Sequence, residues 1–336
     1  MNLLFAGFDL AAAKNLIMVA QAAQIKNHQV TFIGNQLMSR FIIGDKPDAI
    51  ITGLASFKTE NELIFATMAR DSKIPHLVIA ETHFSWARPK AEGLMTHAIC
   101  AVASPAEIAE AKKWGYSDAV YLGGPPLWQA FRRLKPAQLV IPEDTKVILV
   151  GGIKDARLTD MMLAEVAKSI KALAATHGIK LQLIFRPHPN EPAETYNEAR
   201  RKGILEGVEP LPSDAPTDNL ISEVDVSIFT SGAMGTIIAP ILRKPSIYYE
   251  DDWVCKRMVS QIGRKDWLPA EEGALIKATP ETLTAELEWM LKLKEKELSE
   301  HHEQLSACQA GVYPDPKPLS SPEEEILFFI EKTWQN

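Results

Sequence analysis

The sequence predicts two α/β domains, each a parallel sheet covered by helices. Three observations predict this. Apolar runs of strand length alternate with helical patterns through the first 125 residues, a Gly-Gly-Pro-Pro turn at 123–126 breaks that rhythm, and the rhythm restarts at 146. Alternating β and α signals imply parallel strands joined by crossover helices on both faces. A chain of 336 residues is long for one domain and comfortable for two.

In the first half, strands are expected at 3–6, 30–33, 49–51, 77–80, 98–102 and 119–122, with helices at 13–25, 60–70 and 105–114. The stretch after the Gly-Gly-Pro-Pro turn holds Arg132, Arg133, Lys135, Pro136 and Pro142 and reads as a connection. The expected divisions are therefore a first domain at 1–128, a linker at 129–145 and a second domain at 146–310. Within the second domain, strands are expected at 146–150, 180–185, 224–229 and 245–249, with helices at 159–176, 234–242 and 282–306. The tail, 311–336, begins rich in Pro and Ser and ends in a helical pattern at 322–334.

Composition narrows the function classes. Charged residues make up 24% and the apolar set 46%, as in an ordinary globular chain with enough apolar surface for two cores. The net charge of −7 argues against coating by nucleic acid, while leaving room for a local basic pocket. Cys100, Cys255 and Cys308 share no short spacing, so neither a disulfide framework nor a zinc site is indicated. The start lacks the basic and apolar regions of a signal peptide, and no apolar run approaches the length of a membrane span. A reducing cytoplasm is the expected compartment. His301-His302 lies in a charged helical run and reads as a solvated face rather than a metal site. Trp128, Trp253 and Trp267 have no periodic arrangement and read as packing residues. Arg132, Arg133 and Lys135, near Trp128 and Phe131, offer either a contact to an anionic membrane surface or a solvated linker.

Ligands of open α/β sheets bind outside the carboxyl ends of strands, and several strand ends here carry suitable residues. Arg186-Pro-His188-Pro follows the strand run ending at 185. It reads either as a stiff turn or as a phosphate contact through Arg186 and His188. Thr230-Ser231-Gly232 precedes a helix and reads either as its cap or as a phosphate-binding turn. Gly151-Gly152-Ile-Lys154 allows close backbone approach and a lysine contact to a diphosphate, although it is no full dinucleotide fingerprint. Gly7-Phe8-Asp9 offers Asp9 as a general base or as a plain helix cap. Glu81 and His83, in Glu-Thr-His-Phe-Ser-Trp after the run at 77–80, are further acid–base candidates, with His83 equally a structural histidine.

Three such turns in one half are more informative than one. With FRPHPNE at 185–191, DVSIFTSGAMG at 225–235 and RKPSIYYEDD at 243–252, the second half resembles the donor half of GT-B proteins: CDP-glycerol and polysialic-acid type transferases, MurG-like transferases and non-hydrolysing UDP-N-acetylglucosamine 2-epimerases. YLGGPP at 121–126 resembles the Gly-x-Pro segment that closes their first domain. The resemblance implies two Rossmann-like domains of GT-B type, their parallel sheets facing across a cleft, and a metal-independent glycosyltransferase of bacterial-type surface glycan or glycoconjugate synthesis. By it, His188, Ser231 and Gly232 hold the donor phosphates, Arg186 and Lys154 add positive charge, and Gly152 and Thr230 complete the turns. The donor is a UDP-, CMP- or CDP-linked sugar and no further cofactor is implied. Its acceptor is a glycan or small molecule whose hydroxyl meets Asp9, Glu81 or His83, at the cytoplasmic face of a membrane or in the cytoplasm. Epimerisation or hydrolysis of a nucleotide sugar, and a non-catalytic binding subunit, are the alternatives. One departure stands out: the helix after the Ser-Gly turn, Gly-Thr-Ile-Ile-Ala-Pro at 235–240, has no acid to grip the ribose, which leaves Glu250 and Asp251 as substitutes.

Overall fold

The computed structural model describes residues 1–34, 46–54, 60–87, 93, 95–137, 139–153, 155–188, 201, 203, 209–210, 217–230, 233–262, 265–291, 298–315 and 320–334. The chain divides into two compact units: Met1–Ala130 with Ser260–Arg264 and Asp315–Asn336, and Phe131–Val259 with Lys265–Pro314. Both are Rossmann-like, with a parallel six-stranded sheet in each.

In unit 1 the strands are β1 (Asn2–Ala6), β2 (Gln29–Ile33), β3 (Ala49–Thr52), β4 (His76–Ile79), β5 (Ile99–Ala101) and β6 (Asp118–Val120), in spatial order β2-β1-β3-β4-β5-β6. The order reverses at β1 and β3, which makes their carboxyl ends the switch point where ligands of such sheets bind. Alternation along β1 serves two cores. Leu3 and Phe5 join Leu16, Val19 and Ala23 of helix α1 (Leu10–Ile25), whereas Leu4 and Ala6 join Phe65 and Ala69 of helix α2 (Glu60–Asp71). The first core is completed by Ile326, Leu327 and Ile330 from the far end of the chain. Burying each such side chain contributes on the order of 1.5–3 kcal/mol. A cluster of polar contacts also ties that segment to α1: Glu331 accepts from His28 Nε2 (2.8 Å) and Lys26 Nζ (3.3 Å).

In unit 2 the strands are β7 (Thr145–Gly151), β8 (Lys180–Arg186), β9 (Glu209–Pro210), β10 (Val226–Phe229), β11 (Ser246–Tyr249) and β12 (Ile276–Ala278), in order β12-β11-β10-β7-β8-β9. Here the switch point lies between β7 and β10. Ile148 and Val150 of β7 pack with Met162, Leu163 and Val166 of the helix Ala156–His177 and with Leu283, Leu287 and Met290 of the helix Leu283–Met290.

Every strand expected from sequence is present to within two residues. Two edge strands go unexpected: β9 and β12, of two and three residues. In chain order, the remaining helices are α3 (Ile108–Trp114), α4 (Leu127–Arg132), α5 (Ala156–His177), α6 (Thr217–Ile221), α7 (Gly235–Ile241), α8 (Asp252–Ile262), α9 (Leu268–Glu271), α10 (Leu283–Met290), α11 (Leu298–Val312) and α12 (Pro322–Trp334). The helix expected at 282–306 is a correction: α10 stops at Met290 with Leu291 as its cap, and α11 is a separate element. His302 does not face solvent freely, because its ring stacks on Trp289 at 5.4 Å. Helix α4 occupies the start of the stretch expected as a connection. Trp128 and Phe131 are both buried, and Arg132 Nη2 donates to the carbonyls of Tyr313 (3.2 Å) and Pro314 (2.8 Å). Among the described residues, no helix is long and apolar enough to cross a membrane.

Candidate functional site

The carboxyl edge of the unit 2 sheet gathers six of the nine described site candidates singled out from sequence. Because the strands are parallel and adjacent, the ends of β8, β7, β10 and β11 present Arg186 and His188, Gly152, Thr230, and Glu250 with Asp251 at steps of about 4.8 Å. Lys154, Ser231 and Gly232 lie outside the described residues.

At the switch point, Gly152 N–H donates to Arg186 O (2.8 Å), which fixes the turn after β7 against the end of β8. Arg186 is half-buried, and its Nη1 donates to Pro187 O (2.8 Å). Thr230 is fully buried, and its Oγ1 has no hydrogen-bond partner among the described residues. A buried hydroxyl without a partner costs about 1–3 kcal/mol, so this one is a marked feature of the switch point. Its backbone carbonyl accepts from Ala233 N–H (3.2 Å), which closes the turn into α7. Helix α7 is buried at all seven positions and has no acid in its first turn.

The β11 and β12 side of the edge is electronegative. Glu250, Asp251, Glu281, Trp253, Met161 and Lys256 line a cleft of about 440 Å³. Asp251 Oδ1 accepts from Val254 N–H (2.8 Å) and so caps α8. Burial, and after it the carboxylates of Asp251, Glu165 and Glu281, push the Tyr249 phenol above its ordinary range, so it stays neutral. Burial and Glu250 likewise push the Cys255 thiol up. Burial opposes a charged Lys277, but the bond to Glu271 (2.6 Å) and the charge of Glu250 outweigh it and hold the ammonium form. The sequence reading of Trp253 as a packing residue is corrected. It is 41% exposed, its Nε1 donates to Asp155 Oδ2 (3.3 Å), and the Arg157 guanidinium lies 5.0 Å over its ring. Asp155 in turn caps α5 by accepting from Leu158 N–H (3.1 Å).

In unit 1, Asp9 follows β1 at that sheet's switch point. Its Oδ1 accepts from Ala11 N–H (3.0 Å), which realises the cap of α1. Glu81 and His83 follow β4 in a tight turn and are buried. That turn is organised by Glu107, which sequence reasoning missed. Its carboxylate is buried and receives His83 Nδ1 (2.9 Å), Phe84 N–H (2.8 Å) and Trp86 Nε1–H (2.7 Å). Ser104 and Glu107 have the spacing of a capping box. Ser104 does cap the helical turn at 105–107, but the carboxylate is given to the other turn, and nothing local in sequence signals that. Phe84 adopts φ +55°, a strained value for a bulky side chain, held by the bond to Glu107.

No family model matches the chain, and no curated protein matches it in sequence. Solved structures do match in fold. MnaA of S. aureus, solved with UDP, superposes with a TM-score of 0.67 at 14% identity over 98% of this chain and 96% of that one. UDP-GlcNAc 2-epimerase from Methanocaldococcus jannaschii gives 0.59 at 15% identity over 92% and 98%. Acinetobacter baumannii MurG gives 0.55 at 15% identity over 99% of each chain. The chain therefore has the GT-B-type fold, built from two Rossmann-like units.

Proposed function

We propose that the protein acts on a nucleotide sugar and transfers its sugar to an acceptor hydroxyl. The observation that carries this reading is the buried, unpartnered Thr230 hydroxyl at the β7/β10 switch point, flanked by the Gly152 turn and by Arg186 and His188. A hydroxyl and a guanidinium suit phosphate oxygens. The carboxylates of Glu250 and Asp251 repel phosphate and suit the hydroxyls of ribose or sugar. That polarity supports phosphates toward β8 and β7, with hydroxyl groups toward β11. In this reading His188, Ser231 and Gly232 hold the phosphates and Lys154 adds charge. Asp9 is the proposed base toward the acceptor, and positioning plus leaving-group stabilisation supply most of the rate, without a metal. Likeness in fold to proteins solved with UDP supports the nucleotide class.

The test is a thermal-shift panel of UDP, CMP, CDP, GDP and dTDP with their sugar conjugates. A saturable shift with one base is expected, and it should be lost in the Arg186→Ala/His188→Ala double variant. Flat curves throughout, or an unaffected double variant, would sink the reading.

Epimerisation is the second reading, favoured by likeness in fold to the M. jannaschii 2-epimerase. Incubating a bound nucleotide sugar without acceptor separates the two. Transfer predicts unchanged substrate, and epimerisation predicts its 2-epimer.

A further inference from the structure

The Phe229 ring fills space that two glycines leave empty. A Cβ on Gly151 would lie 2.1 Å from Phe229 Cε1, and a Cβ on Gly235 would lie 2.2 Å from Cζ. Neither position can carry a side chain while the ring stays where it is. Phe229 is 2% exposed. The register that pairs Ile228 with Val150 puts Phe229 beside Gly151 at its next step. The ring therefore spans from the last residue of β7 to the first residue of α7. Gly151 opens the turn that contains Gly152, and Gly235 opens α7 two residues after Ala233 closes the turn from Thr230, so one rigid group lies against the backbone beside both turns at the switch point.

We propose that Phe229 is a positioning residue that sets the distance between these two turns, so that both meet the same phosphate group. The inference rests on the nucleotide-sugar reading. An aromatic ring suits this task because it has no internal torsion, and backbone on both sides locks its orientation. A misplacement of about 1 Å at such a site is enough for a roughly hundredfold loss of catalysed rate.

The experiment is calorimetric titration of the full chain with inorganic pyrophosphate and with whichever of UDP, CMP, CDP, GDP or dTDP binds the wild type. Phe229→Leu is expected to weaken binding at least tenfold. Leu183→Ala, a core truncation on β8, is expected to lower Tm while leaving Kd within twofold. Gly235→Ala is expected to lower Tm in the wild type but not in the Phe229→Leu background, where room for the methyl group exists. Equal Kd for wild type and Phe229→Leu would overturn the proposal, as would an equal loss in Leu183→Ala. Should Phe229→Leu fail to fold, Phe229→Met is judged by the same comparison. Failure of every nucleotide to bind the wild type is a separate outcome, which overturns the nucleotide reading and this inference with it.

Discussion

Thr230 and Gly235 show how one atom decides the balance between stability and binding. Thr230→Val keeps shape and removes a hydroxyl that has no partner among the described residues. Because that hydroxyl costs about 1–3 kcal/mol where it stands, the variant is expected to be as stable as the wild type or more so in urea denaturation, and to bind nucleotide more weakly. A clear loss of stability would mean the hydroxyl is paired. Gly235→Ala makes the opposite kind of change. Its methyl group would stand 2.2 Å from the Phe229 ring, and overpacking of this kind costs about 1–3 kcal/mol. An unchanged urea midpoint would show that the ring moves aside easily.

At the scale of elements, the turn at 81–87 depends on a residue more than twenty positions away. Glu107→Ala would leave His83 Nδ1, Phe84 N–H and Trp86 Nε1–H without their acceptor. A loss of about 3–5 kcal/mol is expected, together with a change in tryptophan fluorescence. Wild-type stability in this variant would show that the turn stands without Glu107. The docking of α12 carries its own pH response. Burial works against ionised Glu331, but the bonds from His28 and Lys26 outweigh it and hold the carboxyl below its ordinary value of 4.5. A depressed carboxylate stabilises above its unfolded pKa and loses that contribution as pH falls through the folded one. Amide protection in α12, relative to the intrinsic exchange rate at each pH, should therefore fall below about pH 4.5, and Glu331→Gln should remove that dependence. These elements also show what the sequence could say. Alternating apolar runs placed β1 and β7, and the residues after strands were findable because parallel strands end on one edge. Glu107, Phe229 and Trp253 were not, because each matters through a partner distant in sequence: a turn, the glycine that ends β7, and the cap of another helix. Gly151 and Gly235 were legible as glycines, but what fills their empty space was not.

For the whole molecule, acid stability is expected to hinge on His76. Burial, and after it His97, lower its pKa to about 3, and it shares hydrogen bonds with Thr52 Oγ1 (2.9 Å) and His97 Nε2 (3.2 Å). The native state keeps this ring neutral while the unfolded chain takes up a proton near pH 6.5, so stability falls as pH drops from about 6.5 toward 3. The slope approaches about 1.4 kcal/mol per pH unit for this one group. Urea midpoints between pH 7 and pH 4 should show that slope for the wild type and a flatter one for His76→Gln. The same slope in both would rule out His76 as the source. Unit 1 has one more consequence for the living cell. Its core includes Ile326, Leu327 and Ile330, which leave the ribosome about 200 residues after the sheet they cover, a delay of roughly 10–40 s at ordinary elongation rates. The half of the protein that is translated first is thus expected to complete its core last, with that apolar face uncovered in the interval.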